Sequence, residues 1–412
     1  MKIAMISEQA SPLAVLGGVG SGGQNVHVAE LSAAMARRGH AVTVYTRRDE
    51  DTPERVRTEQ GYTVVHVPAG PPEQLPKDKL LEHMSAFAQY LDKQWSIDRP
   101  DVAHAHFWMS GIATQLAARA RAVPTVQTFH SLGRVERRHQ DARYSGPVAR
   151  LKMEKLVAAH ATWVTATSTE EVFELVQMGR PRTRISVVPC GVDLDTFSTE
   201  GPVAERTARH RIVAVGPLIP RKGFDTVIQA LPAIPDTEYV IVGGPVHGRL
   251  DADPEVRRLR ALARRLGVAD RVTFTGALPR ADMPVMLRSA DVVTCTPWYE
   301  PFGIVPLEAM ACGVPVVASA VGGMRDTIVH DVTGRLVTPR MPRECAEAVS
   351  ALLHDSFLGR SLGLSGRDRA CARYSWDRIA TDTLRIYERL VSECALQTAL
   401  PSGRGEATIQ SG

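Results

Sequence analysis

Short β-branched apolar runs alternate with helix-period segments along this chain, and after a polar stretch the alternation starts again. Lys2–Ile6, Ala41–Thr46, Asp101–His106, Thr125–Thr128, Thr162–Thr167 and Ile185–Pro189 read as strands. Between them, Asn25–Arg38 places Val26, Ala29, Leu31, Ala34 and Met35 at helical spacing and stops at Gly39, and Gly111–Arg121 reads as a further helix. Gly201–His210 is polar and without period, a linker. A second series follows, with strands at Arg211–Val215, Tyr239–Val242, Val272–Phe274, Val292–Cys295 and Val316–Ser319. Helices are expected over Phe224–Leu231, Glu255–Leu266, Met283–Arg288 and Val305–Cys312. Such βα order implies parallel sheets covered on both faces by helices. The predicted fold class is α/β, two Rossmann-like doubly wound domains facing a central cleft. The divisions are an N-terminal domain at 1–200, a linker at 201–210 and a C-terminal domain at 211–375. A terminal amphipathic helix at 376–394 crosses back to the first domain, and 395–412 is a Ser/Gly-rich disordered tail.

Composition excludes several function classes. Net charge is only +4 and aromatic residues make up 5%. No basic helix interleaved with aromatics occurs, so nucleic acid is not an expected partner. The six cysteines include no CxxC pair, which argues against zinc or a disulfide framework and for reduced, buried thiols. No run approaches ~18 apolar residues, and the apolar run in MKIAMISE is too short for a signal peptide. A cytoplasmic enzyme acting on small molecules is the expectation, and a homodimer is compatible with the sequence.

In doubly wound sheets ligands bind at the carboxyl ends of strands, so the strand-exit loops carry the candidate chemistry. Gly17–Asn25 is glycine-rich between a strand and a helix, where backbone N–H groups can approach a phosphate; a plain flexible loop is the alternative. A nicotinamide site would need an acidic residue after the second strand, and that place holds Arg47-Arg48. Gly216 to Gly223 sets Arg221 and Lys222 together before a helix, suiting a diphosphate or a solvated basic turn. Glu300 and Glu308 flank Gly303 at a helix start. Such a pair can hold sugar hydroxyls, do acid–base work or cap the helix. His104, His106 and His130 end two strands; each can be structural or can border the cleft.

The stretch Tyr299-Glu300-Pro301-Phe302-Gly303 through Leu307-Glu308-Ala309-Met310-Ala311, with Gly313-Val314-Pro315 after it, resembles the E-x7-E signature of family-4 retaining glycosyltransferases of GT-B fold. Gly22-Gly23, His104-Ala105-His106, Thr128-Phe129-His130, Pro189–Asp193, Arg221–Gly223 and Gly322-Gly323 extend the likeness from Met1 to about Glu393. The resemblance implies a metal-independent hexosyltransferase with no cofactor, its co-substrate a nucleotide-diphosphate sugar, with UDP favoured. It implies that Gly22, Gly23, Gly216, Arg221 and Lys222 meet the diphosphate, and that His130 and Glu300 meet the transferred sugar. Phe302, Gly303, Ile304 and Val305 would offer backbone groups, Glu308 would hold the ribose, and the base would lie near Gly276 and Leu278. His130, Lys222, Arg221 and Glu300 are the implied catalytic set. One departure stands out: relatives carry Arg after Gly216, and here that residue is Pro217.

Within the family the first half is most similar to the inositol-phosphate glycosyltransferases of mycothiol synthesis, to sucrose-phosphate synthases and to glycosyltransferases of aminoglycoside pathways. That likeness implies acceptor contacts from Asn25, Lys77, His106, Phe107, Ser131 and Arg150. Phe107 stands where the inositol-phosphate enzymes have a Tyr, so a phosphate-gripping hydroxyl is lost. The acceptor is expected to be a small cyclitol, either an inositol phosphate or an aminocyclitol. A sugar-phosphate acceptor, an epimerase or phosphorylase of the same shape, and a non-catalytic nucleotide-sugar-binding protein are the rival readings.

Overall fold

A computed structural model describes residues 1–14, 22–140, 146–147, 149–244 and 249–399. The first sheet is built from β1 (Lys2–Ile6), β2 (Ala41–Arg47), β3 (Arg55–Arg57), β4 (Thr63–Val67), β5 (Val102–His106), β6 (Thr125–Thr128), β7 (Trp163–Ala166) and β8 (Ile185–Val187). Their order across the sheet is β3-β4-β2-β1-β5-β6-β7-β8, parallel except for β3, which runs antiparallel along β4. The second sheet holds β9 (His210–Val215), β10 (Thr237–Val242), β11 (Val272–Gly276), β12 (Val292–Cys295), β13 (Val316–Ser319) and β14 (Arg335–Val337). Its order is β11-β10-β9-β12-β13-β14, all parallel.

Helices cover both faces, and the strands read as their burial requires. Every residue of β10 (TEYVIV) and of β5 (VAHAH) is buried. A buried Val or Ile contributes ~1.5–3 kcal/mol relative to exposure. β5 is unusual in spending two of its five buried positions on imidazoles, which therefore need partners.

Sheet order reverses between β1 and β5 and again between β9 and β12. These are the topological switch points at which open α/β sheets bind ligands. The loops after β1, β6, β9 and β12 carry Gly22-Gly23, His130, Arg221-Lys222 and Glu300.

One apolar cluster joins the halves. It runs from Ile3, Val28 and Val44 of the first half through Trp376, Ile379 and Tyr387 to Val213, Leu307 and Val316 of the second. The helix Trp376–Ala399 packs on the helix Gly23–Arg37, and its Trp376 ring lies over Gly191, where a Cβ would come within 2.6 Å of the ring. This helix extends to Ala399, beyond the expected start of the tail at 395; residues 400–412 are outside the described ones. Four cysteines are buried as expected, but Cys371 is exposed and Cys394 half-buried. Among the described residues no helix is long and apolar enough to cross a membrane.

Candidate active site

Loops from both halves enclose a cavity of about 660 Å³. One wall carries Gly22, Gly23, Asn25, Lys77, His130 and Ser131. The other carries Gly216, Arg221, Lys222, Glu300 and the run from Phe302 to Val305. Residues 17–21 of the first glycine-rich loop lie outside the described residues.

Lys222 and Glu300 face each other across this second wall, Nζ donating to Oε2 at 2.6 Å. Arg221 lies 3.7 Å from the same carboxylate oxygen and donates from Nη1 to the Tyr299 carbonyl at 2.6 Å. Burial favours the protonated form of Glu300, but Lys222 and Arg221 outweigh it and hold the carboxyl below its ordinary range. The two cations stand at a short turn, Pro220–Lys222, ahead of the helix Phe224–Ala230. Gly223 between them has φ +70°, and a Cβ there would sit 1.9 Å from the Thr296 carbonyl oxygen. Pro217 lines the cavity but offers no donor, which leaves Arg221 and Lys222 as the cations on that loop. The helix Ile304–Ala311 starts at the cavity wall, its Ncap Gly303 at φ +85°, so its first N–H groups open toward the cleft.

His130 follows β6 in the left-handed region, φ +59°, an uncommon state for a non-glycine residue. Its Nε2 lies 2.9 Å from His106 Nδ1. His104 stacks on His106 at 4.2 Å, with its Nδ1 2.5 Å from the Tyr387 hydroxyl and its Nε2 2.8 Å from Thr128 Oγ1. His27 sits edge-on to His130 at 5.0 Å. Burial lowers the pKa of all four, that of His27 to about 4 and that of His104 to about 3. His130 therefore meets the cleft as a neutral imidazole, able to share a hydrogen bond but not to supply charge.

Several expected site residues are placed elsewhere. His106 is 0% exposed and does not reach the cavity, because His27, His104 and His130 surround it; it backs His130 instead. Glu308 is buried and turned to Arg280, whose Nη1 donates to Oε1 at 3.2 Å. Gly276 ends the edge strand β11, and Leu278 packs on the apolar cluster; neither lines the 660 Å³ cavity. Asn25 lines the cavity, but its side chain is committed locally, accepting from the Gly22 N–H (2.8 Å) and donating to the Ser11 carbonyl (2.9 Å). It shapes the loop rather than offering free polar atoms.

Phe107 and Arg150 line a second cavity of about 480 Å³, which meets the first at Lys77, Ser131 and Glu136. Glu136 and Tyr299 are both on the main cavity wall; Tyr299 heads the signature stretch without an implied role, and no motif marks Glu136. Glu136 lies in the polar run Val135-Glu136-Arg137-Arg138, which has the look of a solvated helix face.

Two carboxyls behind the cleft bear on stability. Glu8 accepts from the Ser110 hydroxyl through Oε2, while its Oε1 has no partner among the described residues. Burial pushes Glu8 up to about 7, against the lowering effect of Ser110. Glu171 is raised to about 7 by burial despite bonds from the Thr167 N–H and hydroxyl. Between the ordinary value of 4.5 and 7 the folded chain keeps protons that the unfolded chain has lost. This stabilisation is fully present below 4.5 and is lost as pH rises through 7. Glu8→Gln is expected to remove roughly half of that pH slope, read from denaturation midpoints across the range. An unchanged slope would show that Glu8 ionises normally in the fold.

Residues 21–196 match the family described as Glycosyltransferase Family 4, and residues 199–369 match Glycosyl transferases group 1. D-inositol 3-phosphate glycosyltransferase of Xylanimonas cellulosilytica is 39% identical over 405 residues, covering 94% of this chain and 96% of that one. The protein of the same name from Mycobacterium tuberculosis is 34% identical, covering 95% of this chain and 84% of that one. The solved sucrose-phosphate synthase from Thermosynechococcus elongatus superposes with a TM-score of 0.84 at 32% identity, over 95% of this chain and 99% of that one. Matched in both halves and along nearly its whole length, this chain belongs to the family-4 glycosyltransferases, enzymes of GT-B fold that draw on nucleotide sugars.

Proposed function

We propose that the protein transfers a hexose or aminohexose from a UDP-sugar to a hydroxyl of a small cyclitol-type acceptor, with retention of anomeric configuration and without a metal ion. The Lys222–Glu300 pair on the cavity wall, opposite Gly23 and His130, carries this reading. Lys222, Arg221 and the N–H groups at the start of the helix Ile304–Ala311 are the groups that collect the charge growing on the departing diphosphate. Glu300 is held ionised and can accept from hydroxyls of the transferred sugar, with neutral His130 on the opposite side. Electrostatic stabilisation by these cations takes the part a metal plays elsewhere.

Retention, which the resemblance to the family implies, needs no carboxylate nucleophile when the acceptor attacks the face that the diphosphate leaves. Glu136 and Glu300 line the cavity, and each is already paired with a cation, Arg150 and Lys222 respectively. The bond from that carbon to the diphosphate oxygen breaks as the acceptor oxygen bonds to the same face, and the acceptor proton passes to the departing phosphate oxygen.

The names of the relatives, D-inositol 3-phosphate glycosyltransferase and sucrose-phosphate synthase, support a polyhydroxylated acceptor. A cytoplasmic setting follows from these small, water-soluble substrates. The deciding experiment screens nucleotide sugars against inositol, inositol phosphate, sugar phosphates and aminocyclitols by mass spectrometry. A glycosylated cyclitol formed with release of a nucleoside diphosphate is expected. A product formed only from a sugar phosphate, or nucleotide release that never depends on an acceptor, would overturn the acceptor assignment.

A further inference from the structure

The second cavity contains an arrangement that bears on acceptor charge. The Arg150 guanidinium forms part of its wall yet is only 6% exposed at the side chain. Its Nε donates to Glu154 at 2.7 Å, its Nη1 to Glu136 at 2.9 Å, and its Nη2 to the Ser131 hydroxyl at 3.1 Å. Its plane also lies over the Phe107 ring, 5.1 Å from the centroid. Glu154 is fully buried and accepts the Gly133 N–H through both oxygens, so it cannot leave. Glu136 is the outer partner, 22% exposed, and it lines both cavities where they meet.

A phosphate seeking Arg150 would therefore find every nitrogen of the guanidinium engaged and a carboxylate beside it. Two carboxylates on one guanidinium leave the cluster with a net negative charge. Phe107 adds no hydroxyl to compensate, and Asp78 adds a second acid to the wall against Lys77. A hydroxyl or ammonium group meets the opposite situation: Glu136 lines both cavities, and although its two oxygens accept from Arg150 at 2.9 and 3.4 Å, a carboxylate can accept further bonds.

We propose that Glu136 determines acceptor specificity, pairing with Arg150 so that the cavity rejects a phosphate monoester and accepts an unphosphorylated or amine-bearing polyol. This rests on the reading that the second cavity holds the acceptor. Glu136 acts on the charge of what binds, not on the glycosyl–phosphate bond.

The test compares myo-inositol, an inositol monophosphate and an amino-deoxy-inositol as acceptors for the wild type and E136Q. The wild type is expected to favour the two unphosphorylated acceptors in kcat/KM. In E136Q the ratio should move toward the phosphate by at least ~10-fold, mainly through KM, because a full charge next to the binding position is gone. Preference of the wild type for the phosphate, or an unmoved ratio in E136Q, would overturn the proposal. Gln can still accept from Arg150, so the variant keeps the packing. Titration of inorganic phosphate by calorimetry needs no turnover: Kd should fall at least ~10-fold in E136Q, and equal values refute the role of Glu136. If no cyclitol is glycosylated by either protein, the acceptor reading fails, and the phosphate titration still decides the charge argument.

Discussion

Lys222→Ala is expected to lower glycosyl transfer at least ~100-fold while leaving the fold intact, the usual cost of removing one preorganised charge from a transition state. Lys222 sits 2.6 Å from Glu300 on the cleft wall, and its stem passes over Gly216, where a Cβ would come within 3.3 Å of Lys222 Cε. With Pro217 beside Gly216, the loop carries no third cation, so Arg221 alone cannot replace the lost charge. Arg221 is also bound to the Tyr299 carbonyl, which limits how far it can swing. Removing Lys222 takes away the main influence holding Glu300 ionised, so the variant loses a diphosphate contact and weakens a sugar contact together. Turnover at saturating donor reads the first effect, and a raised KM for the donor reads the second. Near-normal kcat in Lys222→Ala would remove Lys222 from the transition state. Glu300→Ala should fall by a similar factor, and because the two residues touch, the double variant should cost less than the product of the single losses.

The parts of the site legible in the sequence are those set by local chain geometry. Arg221, Lys222 and Glu300 lie on short turns bounded by glycines at strand ends, and such turns reach the switch point whatever packs behind them. His130 was legible for the same reason, although its left-handed backbone was not. Misplaced residues depend on partners distant in sequence. Glu308 is on the right helix, but Arg280, which comes from the turn after β11, decides where its carboxylate points. His106 has the strand-exit position of a site residue, and only the return of the C-terminal helix with Tyr387 makes that face of β5 an interior one. The family likeness implies an acceptor contact from Arg150, and the sequence does not show that its charge is taken up by Glu136 and Glu154. The sequence pattern does not show β3 and β4: Arg55–Arg57 is only an edge strand, and Thr63–Val67 carries a His within its apolar run. The alternation of strands and helices was enough to show two parallel sheets, because parallel strands buried on both faces must be near-continuously apolar.

Gly322→Ala should abolish most activity without touching any group that meets substrate. Gly322 has φ +48°, and a Cβ built there would lie 1.9 Å from the Glu300 carbonyl oxygen. Backbone, not a flexible side-chain tip, stands in the way, so either the Glu300–Pro301 segment or the Gly322 turn must shift. The Gly322 N–H donates to Glu170 Oε2 at 2.8 Å, a bond that ties this turn to the helix Thr169–Gln177 of the first half. Moving the turn therefore loses that bond, and moving the segment displaces Glu300 from Lys222. Gly323 beside it leaves no slack, since a Cβ there would meet the Phe302 Cα at 2.6 Å. A destabilisation of ~2–4 kcal/mol is expected, combining overpacking with a left-handed backbone that alanine disfavours. A shift of about 1 Å in a catalytic group costs ~100-fold in rate, so kcat should fall by about that factor in whatever protein remains folded. Gly39→Ala is the matched control. Its φ of +83° is equally unfavourable for alanine, but nothing lies within 4 Å of the added Cβ. It should lose ~1 kcal/mol of stability and keep normal turnover. If Gly322→Ala matches Gly39→Ala in both stability and turnover, the packing of the Gly322 turn against Glu300 does not hold the site together.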